Sequence, residues 1–190
     1  MLVQTIRRVR RSFILIAVVL LFTTPLEAAV LNIVAIGASN TSGWGVGPQD
    51  AYPARLQALL RKKGIPANVI NAGVLGDTTA GMLRRVDSAV PKGTNIVILQ
   101  PGANDLRFGF SKKQRAANIA AMVKRLRARS IRVIVFDPEI PTDFYQWDHI
   151  HFNAAAHAKI AAKLADEIAA EPTAHPATST VAQPPSSPQP

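Results

Sequence analysis

At 190 residues the chain has room for one domain with a sizeable core, and a 48% hydrophobic content is enough to fill it. The absence of cysteine excludes disulfides and thiolate chemistry. A formal charge of +10 would suit a nucleic-acid binder, but many of the cations fall between Lys112 and Arg132, where Ile119, Met122, Val123 and Leu126 recur at helical spacing and base-stacking aromatics are missing. They read as a solvated helix face, and no nucleic-acid partner is expected.

In chain order, Arg7, Arg8, Arg10 and Arg11 precede the ten apolar residues 13–22, and a small-residue exit runs on to Ala29. This is the order of a secretory signal, and ten apolar residues are too few to cross a bilayer comfortably. Residues 1–28 are therefore read as a signal peptide and the protein as periplasmic or secreted. Residues 30–170 hold the fold. Short, β-branched and nearly all-apolar runs at residues 31–36, 68–70, 95–99 and 131–136 have the composition of strands buried on both faces of a parallel sheet. Helices alternate with them. Pro53 opens and Gly64 closes the first, residues 79–86 form a second, and Ser111-x-x-Gln114 looks like a capping box for the third. Asn153 caps a last helix that turns Ile160, Ala161, Leu164 and Ile168 inward. A βαβ series of this kind gives the α/β class. Residues 171–190, rich in Pro, Ser and Thr, have almost nothing to bury and are expected to form a disordered tail.

Ligands of such sheets bind beyond the carboxyl ends of the strands, and the polar sequences gather there: Gly37-Ala38-Ser39-Asn40, Asn71-Ala72-Gly73 and Gly102-Ala103-Asn104-Asp105. Asp148-His149-Ile150-His151 follows on a late loop. A hydroxyl at the end of a buried strand, with a carboxylate and an imidazole on one loop, suggests a serine hydrolase. The four blocks in this order resemble the SGNH (GDSL-type) hydrolases, whose Ser, Gly, Asn and His are matched by Ser39, Gly73, Asn104 and His151. Residues 42–53 and 71–81 look most like the exported thioesterase, lysophospholipase and arylesterase branch of that family. The resemblance implies a three-layer α/β/α sandwich around a central parallel sheet, flavodoxin-like in plan. It further implies that Ser39 is the nucleophile, His151 the base and Asp148 its orienting carboxylate. The backbone N–H groups of Ser39 and Gly73 and the side chain of Asn104 would form the oxyanion hole. Neither a metal nor an organic cofactor is needed. The expected substrate is a small acyl ester or thioester and the expected state a monomer, with transient contact to a membrane surface the one macromolecular partner left open.

Neighbouring residues have plainer readings. His149 and His151 could form a metal pair, but alternate residues of an extended stretch point apart, so His149 is read as a loop residue. His157 shares an apolar helix side with Ile160 and Leu164, as a buried imidazole would. Trp44 and Tyr52 either line the pocket or pack. Thr41 stands where Gly-x-Ser-x-Gly requires a glycine, and Gly43, Gly45 and Gly47 lack the spacing of a dinucleotide loop, so they are read as a rim of the site. Two departures from the family pattern stand out. Ala38 replaces the usual Asp before the serine, and the eleven residues 137–147 leave no room for the helix and fifth strand that ordinarily precede Asp-x-x-His. These features imply a four-stranded sheet and a weakly buttressed Asp148 loop. They also supply an alternative to a serine esterase, a non-hydrolytic family member that binds acyl or glycan ligands.

Overall fold

Residues 29–171 are described by a computed structural model; the expected signal peptide, and the expected tail from residue 172 onward, lie outside them. Strands β1 (Leu31–Gly37), β2 (Ala67–Gly73), β3 (Ile96–Gln100) and β4 (Arg132–Val135) form one parallel sheet in the order β2-β1-β3-β4. Helices α1 (Ser39–Ser42), α2 (Tyr52–Lys62), α3 (Thr79–Ala89), α4 (Asn104–Arg107), α5 (Lys112–Arg127) and α6 (Ala154–Ala170) fill the connections. Every strand being parallel, each connection must cross a face of the sheet, and the faces are shared evenly. Leu56 and Leu60 of α2 pack with Ile160, Leu164 and Ile168 of α6 against Ile33, Ile98 and Ile134. Met82 and Val86 of α3 pack with Met122 and Leu126 of α5 against Val34, Ile36, Val97 and Leu99. The result is the three-layer α/β/α sandwich expected, with four strands. Each of the fully buried Leu and Ile side chains contributes about 1.5–3 kcal/mol relative to exposure, so the two cores on either side of β1 and β3 carry most of the stability.

The edges differ from the sequence reading. β2 is longer than residues 68–70 and is not buried on both faces: Asn68, Ile70 and Asn71 are exposed, because the strand lies at the rim of the sheet and Gln57 Oε1 accepts the Val69 N–H at 2.8 Å. Helix starts follow local chemistry. Thr78, Ser111 and Asn153 cap α3, α5 and α6 by accepting the N–H of Gly81, Gln114 and Ala156, and α2 begins at Tyr52 with Pro53 in its first turn. The capping box at Ser111 is half made, since the Gln114 amide donates to Asn118 rather than back to the cap.

The chain leaves β1 for β2 on one side and returns to β3 on the other. That reversal opens a crevice at the carboxyl ends of β1 and β3, where ligands of such sheets bind.

Candidate active site

Ser39 owes its position to the end of β1. Thr41 folds back over Gly37, donating its hydroxyl to Gln100 Oε1 at 2.5 Å and lying 3.3 Å from the Tyr52 hydroxyl. A Cβ on Gly37 would collide with that threonine. The N–H groups of Thr41 and Ser42 return to the carbonyl of Ala38, and the Ser39 carbonyl accepts from Gly43, Trp44 and the Ser42 hydroxyl. Ser39 thus begins a one-turn helix bonded on all sides, and its side chain, 8% exposed, opens into a cleft lined also by Asn40, Gly102, Asn104, Arg107 and Ile150. Ala38 is buried, and the strand end beneath it is tied by Arg85, which donates to the Gly37 carbonyl at 3.1 Å and pairs with Asp77 at 2.8 Å.

Asn104 comes to the same cleft from β3. One N–H of its amide donates to the Asp77 carbonyl at 2.8 Å, which aims the side chain and leaves its second N–H free for a ligand. The adjacent Asp105 is buried and accepts from the Thr79 backbone at 2.9 Å and the Thr79 hydroxyl at 2.5 Å, with Asn118 donating to the same hydroxyl. A carboxylate at the first turn of α3 meets the positive end of the helix, so the Asn104 segment is pinned to the layer behind it.

Gly73 stands differently from the sequence reading. A Cβ there would overlap the backbone of Thr41 and Ser42, so the glycine is needed for close packing of the turn that bears Ser39. Its N–H, expected to face an oxyanion, already donates to Asn71 Oδ1 at 3.0 Å.

Asp148 and His151 are paired, Oδ2 to Nδ1 at 2.5 Å, while Asp148 Oδ1 accepts the N–H groups of Ile150 and His151, each at 3.0 Å. The His151 backbone N–H first, then its imidazole, hold the Asp148 carboxyl well below the usual carboxylate range. Asp148 therefore stays ionised and fixes the imidazole with Nε2 outward. No hydrogen bond among the described residues joins Ser39 Oγ to His151; in unliganded sites such contacts are commonly long and close around substrate. His149 is exposed and takes a left-handed backbone, φ 55°, which makes the turn between its neighbours. His157 is fully buried; its Nδ1 accepts the Tyr52 N–H at 3.2 Å and its Nε2 has no partner. The two aromatics separate: the Trp44 ring lies 6.1 Å from that of His151, whereas Tyr52 is core.

The brevity of residues 137–147 suggested a poorly held loop, but the link is closely tied. A short turn at Thr142–Phe144 leads to a bridge between Tyr145 and Phe152, Gln146 receives the His151 carbonyl on its N–H at 2.7 Å, and its amide donates to the carbonyls of Trp44 and Phe152. Asn40 is the residue that sequence reasoning missed. Its Nδ2 donates to the Ile150 carbonyl at 3.3 Å and its Oδ1 accepts the Phe152 N–H at 2.9 Å, so the side chain next to Ser39 grips the backbone on both sides of His151. An amide, donor and acceptor at once, directly after the candidate nucleophile was the only signal for it.

A model of the GDSL-like lipase/acylhydrolase family matches residues 35–183. The esterase TesA of Pseudomonas aeruginosa is 28% identical over 119 residues, 62% of this chain and 59% of that protein. An arylesterase of Vibrio mimicus is 26% identical over 114 residues, 60% of this chain and 57% of that one. The aligned region thus spans less than two thirds of the length of both relatives. Among solved structures, the psychrotrophic esterase EstA from Pseudoalteromonas sp. superposes with a TM-score of 0.64 at 21% identity, over 73% of this chain and 97% of its own, a likeness of fold.

Proposed function

The chain belongs to the GDSL-like lipase/acylhydrolase family, and from that premise we propose that it is an exported serine esterase that hydrolyses acyl esters or thioesters through a Ser39-His151-Asp148 triad. The observation that carries the reading is the Asp148–His151 pair, held at 2.5 Å on a loop that Asn40 binds to the turn bearing Ser39. Ser39 Oγ attacks the carbonyl carbon and its proton passes to His151 Nε2. Asp148, unprotonated, stabilises the imidazolium. The tetrahedral oxyanion takes the Ser39 N–H and the free N–H of Asn104; each such donor is worth about 3–4 kcal/mol in the transition state. The Gly73 N–H joins them if Asn71 releases it. His151 then gives the proton to the departing alkoxide or thiolate, leaving an acyl-Ser39 ester. Water attacks that ester with His151 again as base, the carboxylic acid leaves, and Ser39 Oγ recovers its proton.

The names of the relatives, esterase and arylesterase, support small carboxylic esters as substrates. Export rests on the basic and apolar pattern of residues 1–28. A fluorophosphonate probe tests the chemistry most directly. The wild-type protein should be labelled and should hydrolyse p-nitrophenyl acetate, and Ser39→Ala should do neither while keeping its melting transition. A folded wild-type protein that takes no label and turns over no ester would overturn the proposal and leave the reading of a non-hydrolytic acyl or glycan binder.

A further inference from the structure

Because all four strands run parallel, the four loops that follow them open at one edge of the sheet. Those loops carry seven large apolar side chains that face solvent: Trp44 after β1, Val74 and Leu75 after β2, Leu106, Phe108 and Phe110 after β3, and Trp147 after β4, each at least 46% exposed and Trp147 88%. Outside the loops the exposed large hydrophobics of the described residues are Val30 and, on the two edge strands, Ile70 and Val135. An apolar rim gathered at one edge calls for an occupant.

Charge says which. Arg107, Lys112 and Lys113 flank Phe108 and Phe110, residues 106–113 contain no acid, and none of the three cations is in an ion pair among the described residues. Most acids of the same edge are already engaged: Asp50, Asp77 and Asp137 with Arg55, Arg85 and Arg115, Asp148 with His151, and Asp105 in the interior. Glu139 shares a separate groove with Lys159 and Lys163, which leaves Asp143. A second copy is a poor occupant, since a two-fold contact would set these cations against their own images. Aromatic rings beside unpaired cations suit the headgroup layer of an anionic bilayer.

We propose that this edge docks the protein on an anionic lipid surface, with Trp44, Phe108, Phe110 and Trp147 entering the headgroup layer and Arg107, Lys112 and Lys113 meeting lipid phosphates. Arg107 also lines the Ser39 cleft, so docking opens that cleft toward the lipid and an acyl ester held in the membrane becomes the substrate. This last step rests on the serine esterase reading, whereas the docking itself does not.

The chain contains two tryptophans, Trp44 and Trp147, both on the rim, so intrinsic emission reports this edge regardless of any lipid contact made by residues 1–28. The full-length protein is titrated with vesicles of phosphatidylcholine alone and with vesicles of equal parts phosphatidylcholine and phosphatidylglycerol. The mixed vesicles should shift the emission to the blue and brominated lipid should quench it, both weakening as salt is added. Lys112→Gln/Lys113→Gln should weaken the titration roughly 30-fold, from about 1 kcal/mol per cation. Phe108→Ser/Phe110→Ser should lose the shift, and both pairs should keep the wild-type rate on soluble p-nitrophenyl acetate. Emission unchanged by mixed vesicles, or variants that titrate like the wild type, would overturn docking. A concentration-dependent dimer abolished by Phe108→Ser/Phe110→Ser would also overturn it, assigning the rim to a second copy. If Ser39→Ala and the wild type both dock but neither hydrolyses ester, the docking surface stands and the esterase reading falls.

Discussion

In the proposed reaction Ser39 and His151 meet at one carbonyl, yet they are held by different kinds of bond. The serine turn grows out of β1, an inner strand with partners on both sides, and is fixed by backbone hydrogen bonds to Ala38 and Ser39 and by glycines at positions 37 and 73 that let it pack close. The histidine loop follows β4, an edge strand, and is fixed by side-chain amides: Asn40 from the serine turn, Gln146 from the link and Asn153 from the cap of α6. The proposed nucleophile is thus positioned by the fold itself and the proposed base by a few side-chain amides, one of them, Asn40, from a distant stretch of chain. Errors in the second kind of support should move His151 without unfolding anything.

The largest effects should come from the proposed reacting groups. Ser39→Ala and His151→Ala should each lower kcat/KM on p-nitrophenyl acetate by about a millionfold, and combining them should cost little more because the pair acts as a unit. Asp148→Asn, which keeps the shape but not the charge, should cost about ten-thousandfold. His149→Ala should stay within a few-fold of wild type, as an exposed turn residue would. Near-total loss in His149→Ala with little change in His151→Ala would reassign the base.

Asn40 tests the comparison itself. Asn40→Ala removes both bonds that grip the backbone around His151, and a shift of about 1 Å in a reacting group costs about a hundredfold. We expect that loss chiefly in kcat, because Gly102, Asn104, Arg107 and Ile150 still line the cleft. Asn40→Asp keeps an acceptor for the Phe152 N–H and loses the donor to the Ile150 carbonyl, so it should fall between the two. A wild-type kcat in Asn40→Ala would show that the loop holds its geometry from Gln146 and Asn153 alone.

The same contrast explains what could be read in the sequence. Strands β1 and β3 and helices α2, α3, α5 and α6 show themselves because burial imposes a local rule, an apolar run or a helical period with a cap, and Ser39 and Asn104 inherit legibility from the strands they follow. β2 was underestimated because an edge strand need not be apolar on its outer face, as Asn68 and Asn71 show. The Asp148–His151 pair was legible as a three-residue spacing, but its support was not. Asn40 and Phe152 are 112 residues apart, and nothing local requires an asparagine there. The same is true of the Gly73 N–H, whose capture by Asn71 depends on how the end of β2 turns.

The two regions are also joined beneath the cleft, and this gives the smallest and most specific prediction. Gln100, Thr41, Tyr52 and His157 form a buried polar chain from β3 through the serine turn to α6, the helix that follows the histidine loop. Its last member is neutral by necessity: burial first, then the positive charge of Arg55, lower the His157 pKa from 6.5 to about 4, with Asp50 acting weakly the other way. A histidine depressed on folding contributes fully where it is neutral in both states, above the unfolded value. As pH falls from 6.5 toward 4 the unfolded chain takes up a proton that the folded one refuses, so stability declines by about 3 kcal/mol and then levels off. Asp148, held low in the folded state, loses its contribution only at more acid pH, below its ordinary 3.8. Urea midpoints measured between pH 4 and 7 should therefore slope in the wild type. In His157→Asn, which keeps an acceptor for the Tyr52 N–H but cannot titrate, that slope should flatten by the amount assigned to His157. If the variant lost stability with acid as steeply as the wild type, the proton would be entering elsewhere, and the chain beneath the cleft would be packing rather than a titrating link between the two halves of the site.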